Sequence, residues 1–554
     1  MNSLKISKIL VLSVLLLIPL TSVTCQIVTP WLTTGDKSKL MLQQNTIAFG
    51  QNLNTANATI TIDPTTSYQT MDGFGFCMTE GSAEVISTLS MTQQVLLLNE
   101  LFDKSTGLGI SVLRISIGAS DLSSSDYSYN ETSGDVNMTN FSLAGPDLNY
   151  LIPILKKVLI INPDIKILAT PWTAPRWMKS NNSWIGGNLK TIYYEAYSNY
   201  FVKYLDAMKA HGIKIWAITP QNEPENPNNE PSMTMTSTEQ KNFINNNLGP
   251  AMANAGYSTV KIIAFDHNCD NTAYPIDVCN NSSYVDGAAF HLYAGNISAM
   301  TTVKNATNKN VYFTEQYTAS TGGFSGDLGW HLQNVVIGSA NNWSKVIIEW
   351  NLANNPNIGP HTATGCTTCL GAITVNNSST YTRNVSYYII GQISKFVKTG
   401  AVRIGSLVSG GNINATAFKN PDGTIAVVAY NGSSSGQTVK IKWGPQTFIY
   451  TLAGSAAVTF VWNSLPNAIS EISSNQFSLS PNPGHTNVTL TLPPFAGNCK
   501  SVSFINTEGK KVLTQFISSV SPETSINISG LINGVYLIKI NGGSRALNGR
   551  FIKQ

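Results

Sequence analysis

The sequence predicts an α/β protein built on a closed (β/α)8 barrel, the TIM-barrel architecture, and three observations predict it. Between about Gln69 and Lys398, eight short apolar runs alternate with longer amphipathic stretches. No G-x-G-x-x-G turn or P-loop follows any of these runs, which disfavours the main alternative, a doubly wound open sheet. On both sides of this region the pattern changes to period-two runs without helices, the mark of a flanking β-sandwich.

In chain order, residues 1–25 read as an export signal: Lys5 and Lys8 precede "ILVLSVLLLIPL", and "TSVTCQ" offers Val23 and Cys25 at the −3 and −1 positions of a cut. That run is about twelve residues long where roughly twenty are needed to span a bilayer, so no transmembrane segment is expected in the mature chain. A lipoprotein cut just before Cys25 is the alternative, although Ser22 stands where a large aliphatic residue is usual. Residues 27–68, with "TIAFGQNLNTANATITIDP", and 400–463, with "INATAFKNPDGTIAVVAYN", "TVKIKW" and "AAVTFVW", are expected to pair in one sandwich. Between them, 69–398 carries the barrel strands "QTMDGFGF", "ISVLRIS", "IKILAT", "KIWAIT", "VKIIAF", "VDGAAFHL", "NVYFTE" and "SKVIIEW". The intervening segments have helical spacing, as in "EAYSNYFVKYLDAMKAHG", where Tyr197, Phe201, Tyr204, Leu205 and Met208 share a face and Gly212 caps the end. A polar linker, 464–476, leads to a small all-β unit, 477–554.

Charged residues are only 12% of the 554, the net charge is +4, and Lys and Arg are scattered. No basic stripe marks a nucleic-acid partner, and a neutral partner such as carbohydrate fits this surface better. Beyond the signal lie Cys77, Cys269, Cys279, Cys366, Cys369 and Cys499. In an oxidising compartment, Cys269 with Cys279 and Cys366 with Cys369 are the expected local disulfides. The "CTTC" pair could also be redox-active or half of a zinc site, but no second CxxC or His pair stands at metal-ligand spacing, so no metal is expected.

In a (β/α)8 barrel the residues that end the strands form the active site. Strand four runs into "TPQNEP", delivering Asn222 and Glu223, and strand seven ends at "YFTEQ", delivering Glu315. Two carboxyls facing each other across a polar pocket suit glycosidic bond cleavage, one protonating the departing oxygen and the other attacking or stabilising the oxocarbenium-like carbon.

From about 67 to 463 the chain resembles glycoside hydrolase family 30, the glucosylceramidase and β-1,6-glucanase family, through "YQTMDGFGFCMTEGSA", "GISVLRISIGASDLS", "ILATPWTAPRWMK", "FVKYLDAMKAHGIKIWAITPQNEP", "FHLYAG", "YFTE" and "IIEWNLANNPNIGP". The resemblance implies a barrel joined to a sandwich built from both chain ends, and a retaining mechanism. It makes Glu223 the acid/base, protonated at rest, and Glu315 the ionised nucleophile. It places Asn222 on the sugar 2-OH, Asp121 and Trp172 on the terminal sugar, Trp350 as a lining aromatic, and Arg114 beside the acid/base. A structural salt bridge is the plainer reading of Arg114. His291 and Tyr293 are expected to orient the nucleophile or to satisfy polar groups in the core. Trp177, Trp184 and Trp330 line outer subsites or pack loops, Glu80 and Glu349 form rim salt bridges, and Glu225 and Glu230 are solvated. No cofactor is implied.

The family's glucosylceramidases read "ENEP" where this chain has "QNEP", and carry Trp where it has Leu292. Its loops "FDHNCDNTAYP", "NPNNEPSMTMTSTEQ" and "GPHTATGCTTCLGAITV" look more like the β-1,6-glucanase branch. The leading expectation is therefore a secreted β-1,6-glucanase, with glucosylceramide or another β-glycoside such as a β-xyloside as the alternative substrate. A catalytically silent glycan-binding protein is the non-enzyme reading, and it should have lost a carboxylate. The last segment, with "SPNP", "NTEGKKV" and "GVYLIKI", resembles the C-terminal sorting domain of type IX secretion, which makes export machinery a partner; a carbohydrate-binding module is the alternative.

Overall fold

The computed structural model describes residues 26–50, 56–464, 477–492, 499–517, 523–542 and 547–554. The expected signal, 1–25, and the linker from 465 to 476 lie outside the described residues. The chain divides into two compact units, one of them 26–464 and the other within 465–554.

The eight expected strands close one parallel barrel. They are β1 (Gly73–Cys77), β2 (Val112–Ser116), β3 (Lys166–Thr170), β4 (Ala217–Ile218), β5 (Lys261–Cys269), β6 (Val285–Gly295), β7 (Asn310–Glu315) and β8 (Ser344–Asn351). The expected helices fall between them, among them Met91–Phe102, Ile152–Ile161 and Tyr194–Ala210. Gly212 follows the last of these at φ 82°, a conformation only glycine adopts without strain.

Inside the barrel, Val112, Leu168, Ala217, Ile263, Ala289, Tyr312, Val346 and Ile348 form one apolar floor. Strand side chains alternate, so the residue two positions further along faces the same lumen one layer higher. Stepping up from that floor gives Arg114, Thr170, Thr219, His291, Thr314 and Trp350, all buried. The polar layer of the site is thus a direct consequence of strand period.

The sandwich is one sheet that takes strands from both ends of the unit. Thr29–Thr34 pair with Ala456–Val461, and strand Ala58–Thr70 pairs with Val402–Ser409. Its core contains Val28, Ile60, Ile441, Phe448, Phe460 and Trp462.

In the C-terminal unit, a three-stranded sheet (Ser478–Ser480, Asn487–Thr491, Glu523–Asn527) and a four-stranded one (Cys499–Ile505, Lys511–Phe516, Gly534–Gly542, Leu547–Lys553) enclose Val488, Leu490, Val502, Phe504, Ile538, Ile540 and Phe551. No helix among the described residues is long and apolar enough to cross a membrane.

Candidate active site

Glu223 and Glu315 meet at the C-terminal mouth of the barrel, with His291 between them. One carboxylate oxygen of each glutamate and a ring nitrogen of His291 lie within 4.8 Å of one another, and all three residues are buried. Glu223 lies five residues beyond β4, on a segment still anchored to β3 and β5: the Asn222 N–H donates to the Pro171 carbonyl (2.8 Å) and the Glu223 N–H to the Asp266 carbonyl (3.0 Å). Its backbone is left-handed, φ 46°, a strained state for a residue with a side chain and one that surrounding contacts must hold. Glu315 reaches the same lumen because the register between β6 and β7 slips by one, so that both Thr314 and Glu315 face the site.

Arg114 is fully buried and forms a three-way clamp. Its Nη1 donates to Glu315 Oε2 (2.5 Å), and its Nη2 to Asn222 Oδ1 (2.6 Å) and Asp266 Oδ2 (3.0 Å). Its guanidinium lies over Trp172, 4.8 Å from the ring centre, and Trp172 stacks on Trp350 at 5.3 Å. The salt-bridge reading of Arg114 describes these contacts, which run to Glu315 and Asp266 and reach Glu223 only through its neighbour Asn222. Tyr293 donates its hydroxyl to Glu315 Oε1 (2.9 Å).

Asp266 is the residue that the sequence reading left in a substrate loop. The strand expected to stop at Phe265 continues to Cys269 and carries a bulge, with Phe265 at φ 72° and Asp266 at φ 67°. The bulge turns Asp266 inward. Its carboxylate accepts from Arg114, from the Thr219 and Thr314 hydroxyls (2.7 Å each) and from His291 Nε2 (3.2 Å). The polar "FDH" immediately after the apolar run "VKIIA", at the strand end where "TE" and "HLY" also fall, was the available signal.

His291 faces carboxylates with both nitrogens, Nδ1 toward Glu223 Oε1 (3.1 Å) and Nε2 toward Asp266, so it satisfies both only as an imidazolium. Burial works against that charge, but Glu315, Asp266 and Glu223 outweigh it and hold the ring's pKa up at about 9. Burial pushes Glu223 upward, yet the His291 bond and charge overcome it and leave the carboxyl below its ordinary range. Burial raises Glu315, His291 and Arg114 offset this only in part, and Glu223 adds to it. These directions run opposite to the expectation of a protonated Glu223 beside an ionised Glu315, with the charged His291 set between the two carboxyls. Asp121 is pushed to about 8 by burial and by the two glutamates.

Glu223, His291 and Glu315 are the one group among the described residues with three ligand atoms close enough to share a cation. The three side chains are already engaged by Arg114, Tyr293 and Asp266 and by the Asn226 and Asn229 amides, which donate to Glu223 Oε2 (2.8 and 3.1 Å).

Several peripheral expectations change. Glu230 is tied down, accepting the N–H (2.5 Å) and hydroxyl (2.9 Å) of Thr364, while exposed Glu225 accepts from Asn271 (2.8 Å). Glu349 pairs with His331 in the interior (2.7 Å), and Glu80 is buried among Glu84, Ser123 and Ser124 with no cation among the groups acting on it. The Trp177 indole N–H donates to the Asn130 carbonyl (2.9 Å) as loop packing, Arg176 covers Trp184, and Trp330 is 40% exposed. Cys366 and Cys369 are joined, but Cys269 and Cys279 are separate buried thiols. The reason is position: Cys269 ends β5 at the barrel mouth, whereas Cys279 senses Lys309 and Asp286, beside the first residues of β7 and β6 at the opposite end.

Residues 71–397 match the family model for the glycosyl hydrolase family 30 TIM-barrel domain, and 400–460 match the family 30 β-sandwich domain. The chain belongs to glycosyl hydrolase family 30. It is 36% identical over 419 residues to the endo-1,6-beta-D-glucanase neg1 of Aspergillus fumigatus, covering 70% of this chain and 84% of that one. It is 29% identical over 432 residues to the lysosomal acid glucosylceramidase of Mus musculus, covering 73% and 83%. Among solved structures, the endo-beta1,6-glucanase BT3312 superposes with a TM-score of 0.74 at 37% identity, covering 79% of this chain and 99% of that one. This family 30 enzyme is a glycosidase, and residues 478–554 add a secretion system C-terminal sorting domain.

Proposed function

We propose that this family 30 enzyme is an exported, retaining β-glucanase that cleaves β-1,6-linked glucan, with Glu315 as nucleophile and Glu223 as acid/base. The observation that carries the reading is the approach of the two carboxyls: an oxygen of each lies within 4.8 Å of the other, nearer the roughly 5 to 5.5 Å of double displacement than the roughly 6.5 to 9.5 Å of an inverting site. Glu315 attacks the anomeric carbon as the glycosidic C–O bond breaks, and the departing oxygen takes a proton from Glu223. Glu223 then deprotonates the water that releases the sugar from Glu315. His291 Nδ1 lies 3.1 Å from Glu223, one hydrogen-bond step away, and supplies the proton that readies the acid.

Asn222, fixed by Arg114, meets the sugar 2-OH. The indoles of Trp172 and Trp350 pack on the apolar face of the ring, and Asp121 fixes its other hydroxyls. Linkage follows the relatives: those named for β-1,6-glucan are 36% and 37% identical, the glucosylceramidase 29%. The leader and the sorting domain together support type IX export to the surface or beyond it.

Purified enzyme assayed side by side on a pustulan-type β-1,6-glucan, laminarin, glucosylceramide and aryl β-glycosides tests the assignment. Highest kcat/KM on the β-1,6-glucan is expected; faster turnover of glucosylceramide would replace the first reading with the second.

A further inference from the structure

The "CTTC" segment has no part in the chemistry above, yet it is wound around the residue assigned to the sugar hydroxyls. The Thr362 N–H and hydroxyl both donate to the Asp121 carbonyl (2.9 and 3.4 Å). Gly365 presses so closely that a Cβ there would stand 2.1 Å from the Asp121 carbonyl oxygen. Both cysteines pack with Trp172, Trp350 and Leu122 in one small cluster, so the disulfide abuts the indoles that line the same subsite.

The strap is also tied to other loops of the mouth. Ala319 pairs with Cys369, the Ser320 N–H donates to the Thr368 carbonyl (2.8 Å), and Thr364 holds Glu230. Within it, Cys369 is buried, whereas Cys366 is partly exposed and within reach of a solvent reductant.

We infer that the Cys366–Cys369 disulfide is a positioning element of the sugar subsite, so that the enzyme's affinity for its glycone depends on that bond being closed. The inference rests on the reading of Asp121 as a sugar-binding residue. Closing the short ring holds Thr362 and Gly365 against the Asp121 backbone and the disulfide against the two indoles; opening it frees the strap that positions them. Reduction breaks the Sγ–Sγ bond, and a dithiol supplies the two electrons and two protons that leave two thiols while it closes to its own cyclic disulfide. The subsite is therefore completed in an oxidising compartment, the destination that the sorting domain implies.

The test measures kcat and KM on 4-nitrophenyl β-glucoside for the full chain as oxidised, after dithiothreitol and iodoacetamide with alkylation at Cys366 and Cys369 verified by mass, and after reoxidation of uncapped enzyme with oxidised glutathione. Reduction should raise KM about tenfold, on the order of one hydrogen bond's worth of positioning, with kcat within about twofold, and reoxidation should restore it. The double variant Cys366→Ser/Cys369→Ser should show the raised KM and no response to dithiothreitol. An unchanged KM on reduction, a fall in kcat alone, or a double variant still sensitive to dithiothreitol would overturn the inference. An aryl glucoside reports on the glycone subsite alone, so failure of the β-1,6 assignment leaves this readout intact.

Discussion

Asp266→Asn removes one negative charge and keeps the side chain's shape. Four donors lie within 3.2 Å of the carboxylate: Arg114, His291, Thr219 and Thr314. The two hydroxyls can rotate and accept instead; the guanidinium and the imidazolium cannot. An amide can accept from one of them, but its NH2 then faces the other, which leaves a charged donor unpaired where both side chains are fully buried. Such a loss is worth about 2 to 4 kcal/mol, and at 1.4 kcal/mol per decade kcat/KM falls ~30- to 700-fold. The variant also loses one of the three carboxylates that hold His291 near 9. Because this folded value lies above the ordinary 6.5, the stabilisation is complete below about pH 6.5 and disappears as pH rises through about 9. In the variant the window narrows, and the alkaline limb of the pH–rate profile moves toward neutrality. The assay is kcat/KM for an aryl β-glucoside from pH 4 to 10 in both proteins, with melting temperatures alongside. A variant within about threefold of the parent and with an unmoved alkaline limb would refute the role of Asp266.

Glu315→Gln should abolish turnover while the melting temperature stays near the parent's, and near-parental hydrolysis would remove it from the nucleophile role. Glu223→Ala should lose turnover on glucan, and azide should restore it on an activated aryl glucoside as the β-glucosyl azide; an α-azide would contradict double displacement. Deleting residues 477–554 should leave the purified hydrolase active but stop its surface delivery, which fractionation of the producing cell reads directly. Glu80 and Asp147 are raised to about 7 and about 8, chiefly by burial. Raised acids stabilise fully below their unfolded values near 4, and that contribution is lost as pH climbs through 7 to 8. The parent's melting temperature should therefore fall from pH 6 to 9, and Glu80→Gln with Asp147→Asn should flatten that fall; an identical slope refutes it.

The parts of the molecule legible in the sequence are those set by short-range periodicity. Apolar runs separated by helical stretches specified all eight barrel strands, and the end of β7 and the segment just beyond β4 carried both glutamates. What escaped depends on local breaks in that periodicity. A run that reads as ending at Phe265 gives no warning that two left-handed residues will turn Asp266 into the lumen. The same holds for Glu230, whose Pro- and Asn-rich surroundings read as solvated although Thr364 binds it from a loop more than a hundred residues away. Cysteine spacing misled for a related reason: ten residues separate Cys269 from Cys279 in sequence, but a strand and the helix packed outside it carry them to opposite ends of the barrel.

These breaks bear on how catalysis and specificity divide. The polar layer above the barrel floor is fixed by strand period, so Arg114, His291 and Thr314 follow from the barrel itself. Glu223 does not: its left-handed backbone hangs from Asp266, and its Oε2 is held by Asn226 and Asn229. Those asparagines belong to the loop after β4, which bounds the mouth where the leaving group must sit. Both donate to the carboxylate and so favour its ionised form, opposing the protonation that the first step requires. A substrate that draws either amide away would strengthen Glu223 as an acid at the moment of binding. On the proposed roles, the loop that borders the leaving group also sets the strength of the acid that expels it, so exchanging this loop for another should change kcat as well as KM.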